Sequence, residues 1–265
     1  MENGRIIRLA GVFAHPDDDV YLIGGTLLRH QRMLDLTLIF ATSGEAGPIS
    51  DPSLATRETL SKVREGEQRR CLDILGYGDA RVEFMHYPDY YLPEVPREQL
   101  TAGIQAVLHE VRPHIVVTFG PDGLTSHHDH IRVGEATSEA FHRERKTYAT
   151  GDGSFQRLYC VALPRKDVDR FYAAVREGGL DYGTEGALFD ITGISDDGIA
   201  VRETLEQVRA RKLEGILAHR TQLVEWERIP EPLRWIYLDA EYFAQAYPPE
   251  RPTRVRGDLF EELAV

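Results

Sequence analysis

Ile6-Ile7-Arg8-Leu9-Ala10-Gly11-Val12-Phe13-Ala14 is apolar nearly throughout, and it breaks without a spacer into His15, Pro16, Asp17, Asp18 and Asp19. An apolar run of that length, bounded by turn residues, reads as a strand buried on both faces, as in parallel sheets. Val20, Leu22, Ile23, Leu27 and Leu28 then follow at amphipathic spacing, which predicts a helix beginning near Asp18. The same unit recurs. Strands are predicted over Leu36–Thr42, Ala80–Tyr87 and His114–Phe119. Helices are predicted over Thr56–Leu75, closed by Gly76, over Arg97–Val111, stopping before Pro113, and after Asp129. This alternation predicts an α/β fold: a Rossmann-like doubly wound, mostly parallel sheet with helices on both faces.

The second half is less regular. A polar connection is expected over Thr147–Phe155, a fifth strand over Arg157–Leu163 and a helix over Asp167–Glu177. A long helix is predicted over Val201–Leu223, and the chain from Pro248 is expected to wrap the surface. With no internal repeat, the economical division is one domain over residues 1–265. Residues 1–145 form the Rossmann-like core and 146–265 a C-terminal elaboration.

Charge narrows the partners. With 43 acidic against 31 basic residues the net charge is −12, so nucleic acid and anionic membrane are not expected. Cys71 and Cys160 show no CxxC spacing and read as core residues in a reducing compartment. The opening MENGRIIRLAG lacks a signal-peptide core, and no apolar run reaches the ~20 residues of a membrane span. A soluble cytoplasmic protein acting on a small molecule is expected; homo-oligomers are compatible with the sequence.

In an open parallel sheet, ligands bind beyond the carboxyl ends of the strands, where strand order reverses. In the common 3-2-1-4 order that crevice lies between strands 1 and 4. Strand 1 delivers His15 and the three aspartates; strand 4 runs into TFGPDGLTSHHDH, which delivers His127, His128, Asp129 and His130. Each cluster alone has a plainer reading, as first-turn acids on a helix dipole or as a solvated loop. Together at adjacent strand ends they ask for a cation, and imidazole with carboxylate suits Zn²⁺. His15 and Asp18 are three apart, and a third ligand from 127–130 would leave a fourth position open. There is no HExxH, and the first turn has no GxGxxG, since Gly24-Gly25 lies inside the helix.

At these residues the chain resembles the PIG-L/LmbE-like zinc N-deacetylases, which remove acetyl groups from N-acetylglucosamine-containing substrates. Their AHPDDE stands here as Ala14–Asp19 and their HPDH as His127–His130. Thr42–Gly47 is similar to T-x-G-E-x-G, Arg64 with Glu67 to R-x-x-E, Tyr87-Pro88-Asp89 to Y/F-P-D, and Lys212 with Ala218–Gln222 to K…HxSQ. The resemblance spans about residues 5–225. It implies one zinc, or another divalent transition metal, on His15, Asp18 and His130. Asp17 is implied as general base, and His127, with Asp129 its neighbour in the motif, as the second catalytic group. Asp19 replaces the family's glutamate and His128 its proline.

The reaction so implied is hydrolysis of the acetamide of an N-acetylglucosamine conjugate by metal-activated water. Asp17 takes the proton, and His127, as imidazolium, steadies the oxyanion or protonates the amine. Substrate contacts are expected from Glu45, Arg64, Asp89 and His128, with an Arg64 ion pair to Glu65 or Glu67 as the plainer alternative. Tyr90 and Tyr91 are candidates for stacking on a pyranose. Residues 43–56 suit a mobile lid, and His219 has a place under the site or at a subunit contact. Two rivals remain: an amidase of a larger thiol conjugate, and a non-catalytic sugar-binding module.

Overall fold

The first strand, β1 (Ile7–Phe13), is buried along almost its whole length and is flanked by parallel neighbours on both sides. The computed structural model describes residues 6–148, 153–178 and 191–263. Residues 1–5, and residues 149–152 of the connection expected over Thr147–Phe155, lie outside them. After β1 the chain runs α1 (Asp18–Leu22), α2 (Gly24–Arg29), β2 (Leu34–Phe40), α3 (Leu60–Leu75), β3 (Arg81–Phe84), α4 (Arg97–Val111), β4 (Ile115–Phe119) and α5 (His128–Thr147). Then come β5 (Arg157–Ala162), α6 (Arg165–Glu177), β6 (Val201–Thr204), α7 (Arg209–Leu217), α8 (Leu223–Arg228) and β7 (Ala240–Tyr247).

Among the described residues seven strands form one sheet in the order β3-β2-β1-β4-β5-β7-β6. Strands β1 to β5 are parallel, β7 is antiparallel to β5, and β6 antiparallel to β7. The fold is therefore α/β and mostly parallel. Strand order reverses between β1 and β4; α4 packs on α5 and α3 on α7, the two helix pairs that right-handed crossovers are expected to set on opposite faces. Among the described residues no helix is long and apolar enough to cross a membrane.

Three expectations are corrected. The helix from Asp18 is two helices, broken at Ile23 (φ −135). The buried Glu241 carboxylate of β7 accepts the N–H groups of Gly25 (2.7 Å) and Thr26 (2.8 Å), satisfying donors that a continuous helix would have used internally. Gly25 is required there, because a Cβ would lie 2.3 Å from a methyl of Leu205. The long helix over Val201–Leu223 begins instead as β6, whose residues alternate buried and exposed, and turns helical only at Arg209. Last, the segment after Pro248 does more than wrap the surface: Arg256 bridges Val201, and Leu259 is wholly buried.

Lys212 ties these parts together. Its ammonium, buried to 0% exposure, donates to the carbonyls of Tyr21 (2.8 Å) and Tyr237 (2.7 Å) and to Glu241 Oε1 (2.7 Å). A charge so deep is tolerable only with such partners.

Candidate active site

Two loops meet at the carboxyl ends of β1 and β4. In the first, Asp17 has a left-handed backbone (φ 111), a conformation that strains any residue with a side chain. Asp17 sits at the helix N-cap position, yet its side chain makes no capping bond. Its Oδ2 instead accepts from Arg64 Nη2 at 3.0 Å, while Gln68 Oε1 accepts the Asp17 N–H at 3.2 Å. Gln68 also donates to Asp19 at 2.9 Å, so one amide on α3 clamps both ends of the turn. Asp18 folds back to accept the N–H groups of Ala14 and His15.

In the second loop, His127 caps α5, its Nδ1 accepting the Asp129 N–H at 3.2 Å. His130 lies flat on Phe119, with ring centroids 4.0 Å apart and planes 9° apart, so the core fixes its orientation.

His15, Asp18 and His130 converge. His15 Nδ1 is 3.2 Å from His130 Nε2 and 3.6 Å from Asp18 Oδ2, and His130 Nε2 is 3.4 Å from Asp18 Oδ1. The far ring nitrogens are occupied. His15 Nε2 lies 3.0 Å from Asp89 Oδ1 and 3.5 Å from Asp129 Oδ2, and His130 Nδ1 lies 3.0 Å from the Gly123 carbonyl. Those acceptors hold the ring protons on the outer nitrogens, so in the neutral rings two imidazole nitrogens and a carboxylate turn their lone pairs toward one another, and a bound proton or metal cation is needed between them. A cation resolves that arrangement. Ligands about 2.0–2.1 Å from a tetrahedral zinc stand roughly 3.3 Å apart, close to the observed spacing. The outer carboxylates and carbonyl are the partners that orient metal-bound histidines. His127 also offers a ring nitrogen close to those of His15 and His130, whereas Asp89 and Asp129 cluster at the far nitrogen of His15.

The charges respond accordingly. Burial disfavours a charged His15, but hydrogen bonds to Asp129 and Asp89 and the field of Asp18 outweigh it and raise its pKa well above the usual imidazole value. Burial opposes ionisation of Asp18, yet His130 and His15 bring its pKa down to about 2. Burial lifts Asp17 well above the carboxylate range against the pull of Arg64. For His127, burial and the charges of His15 and His130 push the pKa down to about 3.

The remaining expected residues fall into two groups. His15, Asp17, Asp18, Arg64, Asp89, His127 and His130 line one cleft of about 700 Å³, counting space open to solvent. Glu45, His128 and Asp129 support its walls. Glu45 accepts the Asp89 N–H (3.0 Å). Asp129, fully buried, accepts those of Tyr90 (2.7 Å) and Leu92 (3.1 Å). His128 turns outward onto the Tyr90 carbonyl (2.7 Å). Arg64 is 4% exposed and pairs with Asp17, so the surface ion pair to Glu65 or Glu67 is not formed. Its Nη1 holds the Gly44 carbonyl, and a Cβ at Gly44 (φ +67) would meet it at 2.3 Å, which explains the glycine of T-x-G-E-x-G.

The expected lid is pinned: Ala46 N–H bonds Asp89, Ser50 bonds Thr221, and Arg57 holds the carbonyls of Glu45 and Gly47. His219 is buried within electrostatic reach of Arg64 and Asp18, and neither ring nitrogen has a partner among the described residues. Sequence reasoning missed Gln68 and Glu225, which α8 brings to the cleft. The glutamine lies one helical turn after Arg64, a spacing that could have drawn attention to it; for Glu225 no local signal existed.

The family described as PIG-L: GlcNAc-PI de-N-acetylase matches residues 11–141. The chain is 30% identical over 242 residues to a 1D-myo-inositol 2-acetamido-2-deoxy-alpha-D-glucopyranoside deacetylase of Nocardiopsis dassonvillei, covering 82% of this chain and 85% of that one. It is 40% identical over 142 residues to a probable N-acetyl-alpha-D-glucosaminyl L-malate deacetylase 2 of Bacillus anthracis, covering 53% of this chain and 61% of the relative. In fold it is similar to the N,N'-diacetylchitobiose deacetylase of Pyrococcus horikoshii, with a TM-score of 0.59 at 21% identity, covering 90% of this chain and 83% of that one. The family model covers both loops of the crevice and the relative from Nocardiopsis dassonvillei matches most of the chain, and by these the chain belongs to the PIG-L family of N-deacetylases, enzymes that hydrolyse an amide carbon–nitrogen bond.

Proposed function

We propose that this enzyme releases acetate from the N-acetyl group of a small N-acetylglucosamine conjugate, of the inositol or malate kind named for its relatives. One observation carries the reading: a ring nitrogen of His15, one of His130 and the Asp18 carboxylate converge, each held from behind by hydrogen bonds. Together with family membership, that donor set weighs against a non-catalytic sugar-binding module. The whole chain acts as one unit, since β7 and α8 support and line the cleft built by the first 145 residues.

His15, Asp18 and His130 would hold a single divalent transition ion, zinc by its donor set. When bound, the ion would polarise the acetamide carbonyl and make nearby water more acidic. Asp17 is the proton acceptor. Its Oδ2 belongs to Arg64, which leaves Oδ1 to take the proton of the attacking water. Burial favours the protonated form, so Asp17 can hold that proton and pass it to the departing nitrogen. His127 acts neutral and not as imidazolium. Its Nδ1 accepts from a backbone amide, so Nε2 carries the hydrogen and donates it to the oxyanion. Asp129 and Asp89 fix the His15 tautomer. Arg64 and Asp89 present polar atoms to sugar hydroxyls.

The test is a coupled assay for free acetate and primary amine over N-acetylglucosaminyl conjugates, with zinc supplied. Stoichiometric release of both products is expected. Amide cleavage without acetate, on larger thiol conjugates alone, would replace this reading with that of a thiol-conjugate amidase.

A further inference from the structure

The cleft has a second lobe. Beside the polar one lies an alcove of about 480 Å³, again counting space open to solvent. The two share Asp17, Asp18, Thr125, His130 and Glu225 as a common wall, so they meet at the reacting centre. Their linings differ in kind. Beyond the shared wall the polar lobe has Arg64, Asp89 and Gln222; the alcove has Tyr21, Leu22, Leu124, Ile229 and Tyr237.

An amide substrate has two sides, and the lobes sort them. Sugar hydroxyls placed among Leu22, Leu124 and Ile229 would find few partners beyond the two tyrosine hydroxyls, whereas the polar lobe offers a guanidinium, a carboxylate and an amide. The acyl side has only carbon to bury, and an acetyl group presents a single methyl. The alcove has room for more than one methyl, and aromatic contacts brace its wall: Tyr21 packs edge-on against Tyr237 at 5.4 Å and lies 6.1 Å from Trp226. Among the described residues Glu225 is the one charged group on its wall besides the site residues, and burial pushes its carboxyl towards the neutral form.

We propose that the enzyme is an N-deacylase of wider scope, accepting straight acyl chains of three to six carbons on glucosamine as well as acetyl, with the tail in this alcove. The chemistry is unchanged. Water adds hydroxyl to the acyl carbon, the carbon–nitrogen bond breaks, and the nitrogen gains a proton, giving a carboxylate and an ammonium. The inference rests on the deacetylase reading and extends it.

The experiment compares kcat/KM for one glucosaminide carrying N-acetyl, N-propionyl, N-butyryl and N-hexanoyl groups, using the zinc-loaded enzyme. Each methylene that enters apolar surroundings can add up to roughly fourfold. The butyryl value is expected to equal or exceed the acetyl value; a butyryl value more than threefold lower overturns the proposal. No turnover of the acetyl compound would instead remove the deacetylase reading beneath it. Ile229→Trp, or Ile229→Phe if the first variant folds poorly, should lower the butyryl-to-acetyl ratio at least fivefold, and an unmoved ratio refutes the placement. A parallel series varies the aglycone from methyl to octyl with acetyl fixed. A flat response is expected, and a rise with aglycone length would assign the alcove to the other side of the substrate.

Discussion

Replacing Asp17 with asparagine should damage activity and help the fold. Asparagine keeps the shape, and its oxygen can still accept from Arg64 Nη2, which retains the carbonyls of Pro16 (2.7 Å) and, through Nη1, Gly44 (2.8 Å). What disappears is the proton acceptor. General-base catalysis contributes about 10²–10⁴-fold, or roughly 3–5 kcal/mol at the transition state. Stability moves the other way. Asp17 is 7% exposed, and burial raises its pKa above the unfolded value despite Arg64. Each unit of that rise costs the ionised folded state about 1.4 kcal/mol. Below about pH 4 the carboxyl is protonated in both states and the cost vanishes. As the pH climbs through the unfolded pKa towards the folded one, the wild type loses stability that the asparagine variant keeps. Chelator-treated Asp17→Asn should therefore melt with the wild type near pH 3.5 and above it at pH 7, by about 2–4 °C per kcal/mol. Zinc content after reconstitution should be unchanged. The reasoning is refuted if the variant binds no zinc, if excess zinc restores its rate, or if it melts several degrees below the wild type at pH 7.

Three further outcomes follow from the same geometry. Asp18→Asn and His130→Ala should bind zinc more weakly in calorimetric titrations, with activity partly recovered by excess metal. Asp129→Asn should cost about 10–100-fold in zinc affinity or in rate, because it loosens both the His15 ring and the Tyr90–Leu92 backbone. Lys212→Met should lower unfolding free energy in urea by about 3–5 kcal/mol by stranding Glu241, with the rate per folded molecule unchanged.

What could be read in advance depended on how local the cause was. The run Ile7–Phe13 is hydrophobic enough to admit only a buried strand, and the polarity jump at His15 marks the turn. The β1–β4 crevice then follows from strand order alone. Strand β7 was invisible because AEYFAQAY mixes polar and apolar residues with no apolar run, although the strand is paired on both sides. Val201–Thr204 was misread because Leu205, Val208 and Leu213 fall at near-helical spacing, which hides four residues of period two. Arg64 pairs with Asp17 47 residues away, and the apolar alcove draws Ile229 and Tyr237 from distant segments. Contacts of that range leave no trace in any window of sequence.

The grip of Glu241 on the amides of Gly25 and Thr26 also has a consequence in time. The acceptor lies 216 residues downstream of the first donor it serves. On a ribosome adding roughly 5–20 residues per second, the turn with its three aspartates emerges about 10–40 s before the carboxylate that anchors the helix behind it. A nascent chain in that interval can display the first half of the pocket without the support that gives it shape. The turn therefore gains its full support only when the last strand of the sheet has been made and has folded back onto the first.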